Sequence, residues 1–136
     1  MQNTDVQARR GIAQLALKAF FNLASRWQLS RWEAMTLLGL TATSTYANWK
    51  NGKTGTIPRD TLERISYLLN IDDTLRQRLP TNSAVVQHLR QPRRPSQPDS
   101  SLMARMLEGN VIDIYKVQQM VANGAPKPVT PRDTSR

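Results

Sequence analysis

Apolar residues recur along the chain at helical spacing and nowhere alternate with period two over a useful length, which predicts an all-α protein. The first helix is expected over Asp5 to Trp27, with Ile12, Leu15, Ala16, Ala19, Phe20, Leu23 and Trp27 on one face. Leu17 and Phe21, four apart, fall on its other side beside Arg10, Gln14 and Lys18. Two readings account for that pair: a later helix covers it, or it is a contact between copies.

Residues 30 to 52 read as two short helices joined by a tight turn. Ser30 and Glu33 have the spacing of a capping box, in which each side chain satisfies the other's backbone donor. That helix runs to Leu38, Gly39 supplies the positive φ of a sharp exit, and Leu40 turns back toward the core. The next begins with Thr41 or Thr43 as its cap and stops at Asn51-Gly52. It carries Thr43, Ser44, Thr45, Tyr46, Asn48 and Lys50, with Lys53 just beyond. Short hydroxyl and amide side chains near a helix N-terminus reach base edges in a major groove, while lysines neutralise phosphates. This order of cap, turn and polar cluster is that of a helix-turn-helix DNA reader; the plainer alternative is a helical hairpin inside some other bundle. Met35 stands where a small residue usually sits, four before the turn glycine.

Pro58 belongs in a first helical turn, so a further helix is expected from there, with Leu62, Ile65, Leu68 and Leu69 as its stripe and Asn70 as its end. Ile71 to Leu79 then read as a separate short helix with Asp72 and Asp73 at its positive end, as capping residues rather than an acid/base pair. Pro80 breaks the chain, Ala84 to Leu89 allow one or two turns, and residues 91 to 98 form a Pro-rich basic connector. Leu102, Met103, Met106 and Leu107 return to helical spacing before the Gly109-Asn110 turn. Asn110 and Asp113 resemble a capping box for a last helix, Val111 to Asn123, closed by Gly124. Its buried stripe is expected to be Val111, Ile114, Tyr115, Val117 and Val121. Ile112, Lys116, Gln119 and Met120 then form a mixed outer strip of the kind that binds another protein. The pattern divides the chain into a helix-turn-helix domain (1–79), a small helical domain (80–124) and a basic, Pro-rich tail (125–136) expected to be disordered alone.

Charge sharpens this reading. Nineteen Lys and Arg against ten Asp and Glu give a net charge of +9, which favours a polyanionic partner or an acidic protein surface. Both halves share it: eleven basic against six acidic residues up to position 80, eight against four after it. With no cysteine there is neither disulfide nor Cys-ligated zinc, which suits a cytoplasmic protein. Arg9-Arg10 before an apolar run could pass for an export signal, but Gln14, Lys18 and Asn22 interrupt the run at helical spacing, and no membrane span is expected. His88 is the only histidine, and no Gly-rich phosphate loop or nucleophile turn accompanies it. No catalytic residue, metal ligand or cofactor is therefore assigned.

The order of parts resembles the Xre/ParS/MbcA-type antitoxins of bacterial type II toxin-antitoxin pairs. The matching residues are Leu37-Leu38-Gly39, Thr45-Tyr46 to Trp49-Lys50, Leu62-Glu63-Arg64-Ile65 with Leu68-Leu69 and Ile71, Leu89-Arg90 with Pro92, and Leu102 to Gly109. The chain has His88-Leu89 where that family tends to have Trp-Leu, and Pro92-Arg93 where Pro-Asn is usual. The resemblance implies a non-enzymatic antitoxin, dimeric within a hetero-oligomer, that represses its own operon by binding operator double-stranded DNA. It also implies that the second half covers the active site of a RES-domain toxin, a relative of ADP-ribosyltransferases that consumes NAD or transfers from it. On that reading, charge and position select Arg105, Lys116 and the tail residues Lys127, Arg132 and Arg136 to occupy a pocket built for phosphates, beside Ile112, Gln119 and Met120; the other reading is a tail that is merely solvated. The alternative is a stand-alone dimeric repressor whose C-terminal helices only dimerise.

Overall fold

A computed structural model describes residues 2–124, with side chains from residue 10 onward. Among these residues there are seven α-helices and no strand: α1 (Gln2–Arg26), α2 (Arg31–Leu38), α3 (Thr43–Lys50), α4 (Arg59–Arg78), α5 (Asn82–Arg90), α6 (Leu102–Met106) and α7 (Val111–Gly124). A single 3-10 turn, Pro98–Ser100, precedes α6.

The buried face of α1 is Ala13, Leu17, Phe20, Leu23 and Ala24, followed by Trp27. This stripe is rotated from the expected one: Leu17 is buried and Phe21 half-buried, while Ile12 and Leu15 lie 62% and 69% exposed. Of the two readings of the Leu17 and Phe21 pair, the covering helix holds. It is α3, whose Tyr46 meets the Phe21 ring edge-on at 5.6 Å.

The capping box opens α2 as expected. Glu33 N–H donates to Ser30 Oγ at 3.1 Å, and Ser30 N–H to Glu33 Oε1 at 3.0 Å. Gly39, at φ 78°, closes the helix, with its own N–H on the Thr36 carbonyl and the Leu40 N–H on the Met35 carbonyl. Neither Thr41 nor Thr43 caps α3: the cap residue is Ala42, in extended conformation and without a side-chain bond.

A larger correction concerns α4, which is one helix across Asn70. Leu68, Ile71 and Leu75 continue the buried stripe of Ile65 at helical spacing. An Asn in a helix interior costs only about 0.7 kcal/mol, far less than burial of that stripe returns. Asp72 is consequently not a cap. It lies inside the protein, 2% exposed, where it accepts from Trp27 Nε1 at 2.9 Å and Arg26 Nη2 at 2.6 Å.

The core is one contiguous cluster running from Ala13 to Val121, to which both halves of the chain contribute. α4 lies at its centre, packed on α1, α2, α5 and α7. In α7 the buried stripe is Ile114, Val117 and Val121; Val111 is only half-buried, and Tyr115 turns outward to meet Tyr67 edge-on at 5.3 Å. Asn110 and Asp113 meet side chain to side chain at 3.2 Å rather than as a reciprocal capping box, because Asp113 also faces Arg105 at 3.4 Å.

Candidate nucleic-acid interface and partner surface

The α2–α3 hairpin is held from behind by the first turns of α4. Thr61 Oγ1 donates to the Leu38 carbonyl at 3.3 Å, and Arg64 Nη1 to the Thr36 carbonyl at 3.3 Å, so the exit of α2 finds partners in α4. Tyr46 and Trp49 anchor α3 to α1. With these two turned inward, Ser44, Ala47, Asn48 and Asn51, at i, i+3, i+4 and i+7, form one exposed face. Thr43 and Lys50 flank it in the open, and Thr45 is half-buried.

Tyr46 is where sequence reasoning misplaced a site residue. It is 7% exposed, its hydroxyl pKa is raised by burial, and its ring faces Phe21 rather than solvent. It orients α3 instead of reaching out from it. Lys50 Nζ lies 6.0 Å from the Tyr46 ring centre, at the outer limit of a cation–π contact.

Two local features favour anions here. The N-terminal amides of α3 have no side-chain cap, which leaves donors open at the positive end of the helix. At the other end Gly52, at φ 86°, donates to the Trp49 carbonyl, and Lys53 N–H donates to the Asn48 carbonyl at 2.8 Å. This closure fixes the Lys53 backbone directly beyond the exposed face. A cleft of about 430 Å³ between α1 and the end of α3 adds Lys18 to Lys50, with Gln14 and Asn22 alongside. Arg31, which sequence reasoning did not select, stands exposed at the first position of α2, with its charge opposing the rise in the Tyr46 pKa. Its place directly after the Ser30 cap was the available signal.

On the opposite half, Ile112, Lys116 and Gln119 form an exposed strip on α7. Met120, expected with them, is half-buried against the core, its Sδ 3.8 Å from Arg93 Nη1. Arg105 is exposed but engaged by Asp113. The adjoining cleft, about 580 Å³, sets Arg93, Arg94 and Arg105 against Asp99, Glu108 and Asp113, so its charges balance. Lys127, Arg132 and Arg136 lie outside the described residues. Among the described residues no cluster of His, Cys, Asp or Glu is placed to hold a metal ion, and no helix is long and apolar enough to cross a membrane.

The family model for the antitoxin Xre-like helix-turn-helix domain matches residues 7–70, which take in most of α1, all of α2 and α3 and the first half of α4. An uncharacterized protein of Sinorhizobium fredii, y4oB, is 39% identical over 103 residues, 76% of this chain and 78% of that protein. Residues 7–70 thus form an antitoxin Xre-like helix-turn-helix domain, and the chain belongs to one family with y4oB. The shared stretch with y4oB is longer than the matched domain, so the likeness carries into the second half of the chain. No solved structure matches the chain.

Proposed function

We propose that this Xre-like protein is an antitoxin that represses its own operon by binding operator DNA through α3, and that its second half neutralises a RES-type toxin by covering the toxin's active site. The observation that carries the DNA reading is the exposed face of α3. Ser44, Asn48 and Asn51 are free of packing duties and suited to base edges, with an uncapped N-terminus and Lys50 and Lys53 beside them to meet phosphates. The residues assigned to DNA are Thr43, Ser44, Thr45, Asn48, Lys50 and Lys53, with Tyr46 as their support. Dimerisation would set two such helices one DNA turn apart on an inverted repeat.

The toxin reading rests on the family and on the α7 strip of Ile112, Lys116 and Gln119, which is exposed and uninvolved in the DNA face. Met120, Arg105 and the tail cations Lys127, Arg132 and Arg136 complete the assigned contact set. A pocket that binds the pyrophosphate of NAD is itself cationic, so these guanidinium and ammonium groups would pair with acidic side chains around its mouth rather than fill the phosphate site.

The test is recovery of the tagged protein from its native host, washed in salt high enough to strip nucleic acid. The expected result is a stoichiometric second protein that arrests growth when expressed alone and depletes NAD or ADP-ribosylates protein. An Ile112→Asp, Lys116→Glu variant should lose that partner while keeping its DNA affinity. Recovery of the bait alone would leave a self-contained repressor.

A further inference from the structure

Gln14, Lys18 and Asn22 interrupt the apolar run of α1 and stand exposed four residues apart, so they form one polar ridge along the helix. That ridge is a wall of the cleft of about 430 Å³ beside the end of α3, which Lys50 and Gly52 also line. Every charge in the lining is positive: Lys18 and Lys50 supply two ammonium groups, and no carboxylate faces them. Neither lysine forms an ion pair among the described residues, and no Asp or Glu stands three or four positions from Lys18 along α1. The buried Leu17 and Trp49 make an apolar floor, which keeps water from one side and strengthens the field of both cations. Gly52 carries no side chain, and nothing lies within 4 Å of where a Cβ would stand, so the cleft is open on that side.

We infer that this cleft holds a phosphate of the DNA backbone, and that Lys18, on a helix outside the α2–α3 hairpin, is a DNA-binding residue. The inference rests on the reading of α3 as the helix that enters the major groove. An α-helix with its side chains is ~10–12 Å across and that groove ~12 Å wide, so such a helix fills it. Whatever packs alongside the helix then faces the phosphates of a groove wall. α1 is packed on α3 through Phe21, Tyr46 and Trp49, and its ridge flanks Lys50 at the end of the exposed face. Two ammonium groups and two amides offer donors, and a phosphodiester offers acceptors and a charge. A free anion is a poorer occupant, because two exposed ammonium groups in an open cleft gain little from it. A duplex already resting on α3 delivers its phosphate at high effective concentration and needs little affinity from the cleft alone. A protein carboxylate would suit the same cations, but the cleft is continuous with the face of α3 that the duplex covers.

The test compares the full-length wild type with Lys18→Gln and Lys18→Arg, by fluorescence anisotropy on duplexes at several salt concentrations. Lys18 is exposed, and Gln and Arg match its helix propensity, so both variants should keep the wild-type circular dichroism and melting temperature. Lys18→Gln is expected to weaken binding on every duplex and to lower the slope of log affinity against log salt by about 0.9, for one lost phosphate contact. Lys18→Arg should keep the slope. On a site selected by the wild type from a random pool, single uncharged methylphosphonates locate the contact: at one position the loss should be smaller in Lys18→Gln than in the wild type. An unchanged slope in Lys18→Gln, or equal losses at every methylphosphonate, overturns the inference. If Lys18→Gln keeps the slope but loses a co-purified protein, the ridge belongs to that partner. Inorganic phosphate that displaces the duplex far better than chloride at equal ionic strength also overturns it, and gives the cleft to a free anion. The two readings fail separately. A wild type that binds all duplexes alike, with a lower slope in Lys18→Gln, leaves the cleft standing and removes the operator reading. A wild type that selects a site, with the slope unchanged in Lys18→Gln, does the reverse, and one that binds no duplex removes both.

Discussion

Arg64 Nη2 donates to the Gly109 carbonyl at 2.9 Å, which ties the second turn of α4 to the turn between α6 and α7. The same guanidinium reaches the Thr36 carbonyl with Nη1 and Asp60 with Nε, at 3.3 and 2.8 Å. One side chain, 7% exposed, thus spans the exit of α2 and the entrance of α7. Gly39 accommodates it: a Cβ there would sit 2.9 Å from Arg64 Nε, on a residue already at φ 78°.

Arg64→Ala is expected to destabilise the fold by about 3 kcal/mol, since it takes the donor from the Gly109 carbonyl, one of two donors from the Thr36 carbonyl, and a buried charge-assisted network. Gly39→Ala should cost about 1–3 kcal/mol through its left-handed backbone and the contact with Arg64. Urea unfolding measures both, and because they share one contact their effects should combine non-additively in the double variant. Strict additivity would show that Arg64 and Gly39 act separately.

Asp72 is the second polar keystone. Its carboxylate, 3% exposed, holds Trp27 Nε1 and Arg26, with Arg76 at 3.4 Å. Asp72→Ala leaves Arg26 and the buried indole donor without their acceptor, and a loss of about 3–5 kcal/mol is expected. Trp27→Phe keeps the ring but removes the donor, at about 1–2 kcal/mol. Chemical denaturation of both variants checks the order; an Asp72→Ala protein as stable as the wild type would remove Asp72 from the core's support.

Acid should weaken the fold in two steps. Burial pushes the His88 pKa down, with the Arg93 charge adding to it, so the unfolded chain takes the proton more readily and stability falls as pH drops below about 6.5. The Glu33 pKa is also lowered, first by the Arg90 guanidinium and then by the Ser30 N–H, against an opposing effect of burial. Its contribution is complete above the ordinary carboxylate value, about 4.3, and is lost as pH falls through the lower folded value. Melting temperature against pH should lose the upper step in His88→Gln and flatten below about pH 4.3 in Glu33→Gln. An unchanged profile in either variant would show that its group does not titrate differently on folding.

The helices near the hairpin were legible because their signals are local: a Ser and a Glu three apart, a glycine where the chain must turn left-handed, a proline where a helix begins. What escaped was set by tertiary contact. Leu17 and Phe21 looked misplaced until α3 covered them, and Ile12 and Leu15 looked internal although both are exposed among the described residues. Tyr46 sits amid polar neighbours, yet its ring is drawn to Phe21. Asn70 marked a stop by propensity, but burial of Leu68, Ile71 and Leu75 overrides so small a cost. Asp72 was invisible as a core residue because its partners, Arg26 and Trp27, lie more than forty positions away.

Lys50 and Asn48 should part company in DNA binding. Lys50 is exposed at the end of α3, a point charge suited to phosphate whatever the sequence; Asn48 lies on the outward face with an amide suited to one base edge. Lys50→Ala is expected to weaken binding on every duplex alike and to lower the slope of log affinity against log salt by about 0.9 for one lost phosphate contact. Asn48→Ala should leave that slope in place and cost about 1–3 kcal/mol on the selected site, with little loss on unrelated DNA. Fluorescence anisotropy at several salt concentrations on matched and scrambled duplexes gives both numbers. An unchanged slope for Lys50→Ala would take Lys50 off the phosphate backbone. An equal loss on both duplexes for Asn48→Ala would place its amide on the backbone too, and leave base reading to Ser44 and Asn51, the other polar side chains on that face.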